Sequence, residues 1–348
     1  MTTHERPGVY SVYEASALVS GTAGAKAVGL AAKCTTGTAG TVYELSDYSQ
    51  AAETFGQEEE MTELVRLLFL NGAAQVYAVP AADDDGYEQA FAALNEIEEI
   101  RVMVCDSTTS TVQQAMRTGI EEASDTRRER IGVVAGVGGE SVSQLVSRAA
   151  ELNSKRMVLV TPEVMDSSGE ALPGVRAAAA VAGAIAGETD PAVPLGGAVL
   201  KGLSGLSKRY SDTEIDTLVR GGVTPLESMG GVVSVVRGVT TCTTAGGAAD
   251  TTWRELTTIL IVDDVIPGIR DALRAKFQRA KNTEQSRGAI RTQVVLELEN
   301  KLGREIITGY DNVTVSALEE NPTVCLVEFS FTVAHGLNQI WLSAHITV

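Results

Sequence analysis

Four times between residues 74 and 186 the chain repeats one pattern, a short apolar run followed by a longer stretch with apolar residues at helical spacing. Ala74–Val79 (AQVYAV) precedes a helix predicted over 86–97, and Arg101–Cys105 (RVMVC) precedes one over 110–124 opened by Ser/Thr caps. Ile131–Ala135 (IGVVA) is followed by a helix over Ser141–Leu152, and Met157–Val160 (MVLV) by one over Val175–Ile185. Strands that are apolar at nearly every position are buried on both faces. Alternating with amphipathic helices, they predict a parallel sheet covered on both sides, an α/β fold.

On either side of this block the pattern is less regular. Upstream lie a β-prone run at Val9–Tyr13, a segment restarting as VGLAAKC after Gly21, Gly24 and Gly29, a short strand at 41–45 and a helix over Glu60–Leu70. Downstream of Pro191, glycine pairs break the chain into short elements: a capped helix over Ser211–Val219, then strands at Val223–Leu226 and Val232–Val236. From Thr251 a different region begins. Helices are predicted over Leu256–Val262 and Gly268–Arg279, separated by Pro267, and over 290–302. Strands follow at Val313–Leu318, Val324–Val333 and Ile340–Val348. The last has strict period-two alternation and belongs in a sheet, either its own subunit's or a neighbour's.

The chain is long enough for two or three domains, and 44% hydrophobic against 21% charged residues marks a globular protein. Its longest apolar run, AAAAVAGAIA at 177–186, is too short to span a bilayer, and no charged-then-apolar leader suggests export. A formal charge of −17 argues against a nucleic-acid surface. That charge is unevenly spread. Residues 41–125 hold 18 acidic and 3 basic residues, whereas 270–304 are net positive with 9 basic residues. In a self-associating chain such regions attract one another across copies.

Chemistry is sparse. The three histidines, His4, His335 and His345, sit near the ends and leave the α/β block without a general base of that type. The four cysteines are scattered, with no CxxC pair and no zinc spacing. Gly136–Gly139, between a strand and a helix, is the one candidate phosphate cradle, but neither GxGxxG nor GxxxxGK[ST] is present. The acidic runs Glu58–Glu60 and Asp83–Asp85 read as solvated surface. No cofactor or metal is expected. A cytoplasmic nucleotide-binding enzyme using the Gly136–Gly139 turn is the alternative reading.

From residue 170 onward the order and texture of segments carry a resemblance. They are PGVRAAAAVAGAIAGETDPAVP, LKGLSGLSKRYSDTEIDTLVRGGVTPLESMGGVVSVVRGVTTCTT, WRELTTILIVDDVIPGIRDAL and KFQRAKNTEQSRGAIRTQVVLELENKLGREIITGYDNVTV, with RPGVY near the start. Together they resemble the contractile tail sheath family of phages and bacteriocin-like particles. The resemblance covers about half the chain closely and residues 21–170 by architecture only.

That resemblance implies a structural, non-enzymatic subunit with a subtilisin-like parallel-sheet core lacking the catalytic residues. It implies an N-terminal arm at 1–20, a small region at 21–73, the α/β domain at 74–245, an α+β C-terminal domain at 246–336 and a C-terminal arm at 337–348. Sheath subunits of this kind stack as hexameric rings around a tail tube and contract to drive it through a target envelope. Expected partners are other copies, the tube protein, and baseplate and tail terminator proteins, with no nucleic acid and no membrane insertion. The setting would be a virion or tailocin tail assembled in the bacterial cytoplasm. The arms would donate strands through Val9, Tyr10, Val12, Tyr13, Ile340, Trp341, Leu342 and Ile346. The receiving strands would present Val313, Val315, Val324, Leu326, Val327 and Phe329. Arg274, Lys276, Arg279 and Lys281 would meet the acidic region of a neighbour.

Overall fold

The computed structural model describes residues 26–166, 168–338 and 340–344. The first half alternates strand and helix: β1 (Ala27–Lys33), β2 (Tyr43–Leu45), α1 (Tyr48–Phe55), α2 (Glu60–Leu70), β3 (Gln75–Ala81), α3 (Gly86–Asn95), β4 (Ile100–Cys105), α4 (Ser110–Asp125), β5 (Ile131–Ala135), α5 (Val142–Leu152) and β6 (Met157–Thr161). Next come a small three-stranded sheet of β7 (Val164–Met165), β8 (Ala171–Leu172) and β9 (Gly205–Leu206), with α6 (Val175–Gly187) between its last two strands. Then follow α7 (Asp212–Arg220), the hairpin of β10 (Val223–Met229) with β11 (Val232–Val235), and a small hairpin of β12 (Thr244–Ala245) with β13 (Ala248–Ala249). The described chain closes with α8 (Leu256–Phe277), α9 (Glu284–Gly303), β14 (Ile307–Leu318) and β15 (Asn321–Val333).

The main sheet has eight strands in the order β11-β10-β6-β5-β4-β1-β3-β2. Its six central strands are parallel, and only the edge strands β2 and β11 run antiparallel to their neighbours. Alternate residues of each strand enter two cores. Val28, Leu30, Val102 and Val104 pack with α1, α2 and α6, whereas Ala31, Met103, Val134 and Leu159 pack with α3, α4, α5 and α7. The parallel sheet covered on both faces is therefore as the apolar runs predict.

β1 is an interior strand of the sheet, between β4 and β3. Residues 27–70 supply a central strand, an edge strand and two covering helices, and they share one core with the rest of the sheet. The small residues of α6 also have a more specific reason than lying close to the sheet. A Cβ on Gly183 would lie 2.7 Å from the Leu68 carbonyl oxygen, so glycine lets α6 press against α2 backbone to backbone.

Two expectations are corrected. Pro267 does not split the helix: α8 runs continuously through it, with Val265 and Ile269 buried on either side. Packing at both flanks offsets a break that costs about 3 kcal/mol in an exposed helix. Helix α9 begins at Glu284 rather than near 290, because the Thr283 side chain accepts the Ser286 N–H and nucleates a first turn that carries no apolar stripe. Residues 340–344 form no strand of their own subunit's sheets among the described residues. Residues 345–348 lie outside them.

The C-terminal unit has its own small core of Ile261, Val265, Ile269, Val294, Leu298, Ile306, Ile307 and Val313. Among the described residues its sheet is only β14 and β15, so each long strand has one edge unpaired among them. α8 joins the two units: Leu256 and Ile259 sit in the α/β core, and Ile261 onward in the C-terminal core.

Candidate assembly surfaces

In an α/β sheet the C-terminal strand ends ordinarily hold the ligand. Here the Gly136–Gly139 turn leads from β5 into α5, whose N-terminus is closed by a reciprocal capping box between Ser141 and Gln144. Carboxylates occupy the space before it. Glu140 accepts the Val137 N–H at 3.0 Å and pairs with Arg148 at 2.7 Å. A Cβ on Gly138 would lie 2.1 Å from Glu163 Oε1. A cleft of about 290 Å³ opens beside them, and its Lys208 is paired with Glu214 at 3.0 Å. An incoming phosphate would meet Glu140 and Glu163, so the geometry disfavours the nucleotide reading.

Along the same rim Tyr87 donates its hydroxyl to Asp106, whose second oxygen accepts the Lys33 N–H at 3.0 Å. Burial raises the pKa of both Asp106 and Tyr87. These groups satisfy one another and include no nucleophile with a base. Among the described residues no cluster of three His, Cys, Asp or Glu side chains could hold a metal. His335 is exposed, while His4 and His345 lie outside the described residues.

The residues expected to act in assembly fall in three places. Val313 is buried, Val315, Val327 and Phe329 are half-buried, and Val324 and Leu326 are exposed. In β15 this is the period-two alternation of one covered and one open face: Val327 and Phe329 pack on the C-terminal core. Ile340, Trp341 and Leu342 are 80%, 90% and 92% exposed. Val9, Tyr10, Val12, Tyr13 and Ile346 lie outside the described residues. Arg274 and Lys276, near the end of α8, and Arg279 and Lys281, in its connection to α9, are all exposed. Lys276 reaches Gln293 at 2.5 Å.

One arrangement escapes the sequence reading. The two units are tied by two ion pairs: Arg156 grips Asp263 in a bidentate pair at 2.7 and 2.9 Å, and Arg270 meets Glu129 at 2.8 Å, while Lys301 meets Asp264 at 2.5 Å within the C-terminal unit. Burial raises the pKa of Asp263 although Arg156 opposes it. Lys26 lies in the same junction, where burial lowers its pKa against the pull of Asp264 and Glu188. The available signal was Asp263-Asp264, a charged pair inside the otherwise apolar LTTILIVDDVIP.

Comparison with known proteins gives this geometry a context. Residues 81–241 match the family model of the phage tail sheath protein central domain, and residues 248–347 that of the phage tail sheath C-terminal domain. A tail sheath protein of Bacillus phage SP01 is 27% identical over 264 residues, 72% of this chain. The chain spans only 43% of that relative's own length. Among solved structures, a chain of the anti-feeding prophage baseplate superposes with a TM-score of 0.76 at 19% identity, covering 99% of this chain and 100% of that one. A chain of the PVC sheath complex, an extracellular contractile injection system in its contracted state, gives 0.71 at 14% identity, with 100% and 99% covered. These likenesses establish a shared fold, and the two matched domains together span most of the sequence. The chain belongs to the phage tail sheath protein family.

Proposed function

We propose that this chain is the structural subunit of a contractile tail sheath, polymerising as stacked hexameric rings around a tail tube and contracting to drive the tube through a target envelope. The observation that carries the reading is the hairpin β14–β15, a two-stranded sheet of 12- and 13-residue strands with two unpaired edges. An isolated two-stranded sheet is marginal in water, and long open edges invite pairing with another chain. The alternating segment Ile340–Val348 has the chemistry to fill such an edge in a neighbouring copy, and Val9–Tyr13 has the same character.

In this reading the terminal arms keep the lattice connected, because backbone hydrogen bonds within an added strand survive rigid-body rotation of the domains it tethers. The α/β unit is a subtilisin-like core without catalytic residues and serves as the rigid body that moves. The basic residues Arg274, Lys276, Arg279 and Lys281 meet the acidic 41–125 region of a neighbour in one assembled state. Partners are the tube, baseplate and tail terminator proteins of a virion or tailocin. Assembly takes place in the bacterial cytoplasm, without cofactor, nucleic acid or membrane insertion.

The test is negative-stain electron microscopy of the purified chain with and without residues 337–348. Tubes or rings from the full chain, lost on truncation, are expected. Identical assemblies from both chains would remove the C-terminal arm from the account.

A further inference from the structure

Among the described residues the largest fully buried side chain is a cation in no ion pair. Arg130 is 0% exposed and donates to the carbonyls of Leu94, Ile97 and Arg128, each at 3.0 Å, and to Asn95 Oδ1 at 3.2 Å. It touches no carboxylate. Burial, then the nearby Arg128 and Arg101, lowers its pKa to about 10. A buried charge is costly unless it is paired.

Close by opens a groove of about 790 Å³, between the α3–β4 and α4–β5 loops and the C-terminal half of α8. Its cations outnumber the partners they have. Arg128 is paired with Glu96, and Arg270 with Glu129. Arg101 donates only to the carbonyls of Glu98 and Ile100. The side chains of Arg127 and Arg274 make no hydrogen bond or ion pair among the described residues, and of the groove's acids only Glu98 and Asp271 have no paired cation. Arg127 also occupies a left-handed conformation (φ 73°) just after α4, a position glycine fills at lower cost. The sequence keeps a guanidinium on the rim despite that strain.

The complementary charge sits at the other end of the same helix. Asp83, Asp84 and Asp85 form an exposed turn before α3, in which Asp84 makes an exposed pair with Lys33 at 2.8 Å and Asp83 accepts the Gly86 N–H at 3.0 Å, whereas Glu96, just after the helix, lines the groove. Ten helical residues span about 15 Å, so a chain cannot fold its own turn into its own groove. A second copy can. A contact joining the acidic pole of one copy to the arginine pole of the next is head-to-tail, the class of interface that builds rings and helical filaments.

We propose that the arginine groove beside Arg130 receives the Asp83–Asp85 turn of a second copy of this chain. The inference rests on the sheath reading and names one contact within it. Three carboxylates entering the groove give Arg101, Arg127 and Arg274 the partners they lack and lower the cost of the buried guanidinium.

The probe is a fluorescent peptide of residues 80–88, titrated with the full-length chain at low ionic strength and followed by anisotropy. Saturable binding that fades with added salt is expected, with none for a peptide carrying Asn at 83, 84 and 85. Arg101→Glu with Arg274→Glu is expected to weaken binding by about tenfold or more. Arg127→Gly should also weaken it while leaving Tm unchanged or raised, so that loss cannot be ascribed to unfolding. No saturable binding, or binding undiminished in these variants, overturns the proposal. If Lys276→Glu with Lys281→Glu abolishes binding while the groove variants do not, charge attraction between copies stands and the groove is not its site. Ring formation by microscopy tests the sheath reading independently of either result.

Discussion

The α/β body and the C-terminal hairpin unit are built to opposite specifications. The body's main sheet has eight strands, both faces covered, and short antiparallel strands at its two edges. The hairpin unit has two long strands, one covered face, one open face and two open edges. A sheet completed within the subunit can move as a rigid object, whereas an incomplete sheet needs a second chain to satisfy its backbone. The Arg156–Asp263 and Glu129–Arg270 ion pairs join the two, so the sensitive parts of the molecule are its core and this junction rather than its hairpin surface.

The comparison breaks most sharply at the junction. Arg156→Ala leaves Asp263 buried without its partner and is expected to cost about 3–5 kcal/mol, read as a fall in the denaturant midpoint. In the body, Leu67→Ala empties a fully buried position and should cost about 2–5 kcal/mol by the same measurement. On the open face of the hairpin, Leu326→Ser should change monomer stability by less than about 0.5 kcal/mol. A large loss there would mean that the hairpin face is already covered within the subunit.

A pH titration sharpens the junction further. Burial alone would raise Glu129, but its bond with Arg270, a backbone hydrogen bond and the charges of Arg270 and Arg156 together hold the carboxyl below the usual glutamate value. A depressed carboxylate contributes stability that is fully present above its unfolded pKa, near 4.5, and is lost as pH falls through the folded value. Glu129→Gln should therefore shrink the stability difference from wild type as pH drops below about 4.5 and leave it constant above. An unchanged difference across that range would mean that Arg270 and Glu129 do not couple.

What the sequence made legible follows the same division. The strand Ile131–Ala135 and the helix Glu60–Leu70 coincide with their observed bounds, because each is an uninterrupted physical pattern between clear stops. The place of β1 was not legible. AVGLAAK is small and buried along most of its length, and chain order does not reveal that the first described strand inserts between β3 and β4. Helix α8 defied the Pro267 rule because tertiary burial on both flanks outweighs a local preference. At the candidate surfaces, Val324–Val333 was legible as a strand, but the arginine groove could not be read. Arg101, Arg127 and Arg274 come from three separate segments that only the fold assembles.

The central claim is that the hairpin sheet is incomplete until another copy joins it. Amide hydrogen exchange on the isolated and the assembled protein tests it most directly. The account predicts strong protection of β1, β4, β5 and β6 in both states, and protection of the outward-facing amides of β14 or β15 only after assembly. Outward amides protected equally in the isolated chain, or still exchanging freely in assembled tubes, would contradict it.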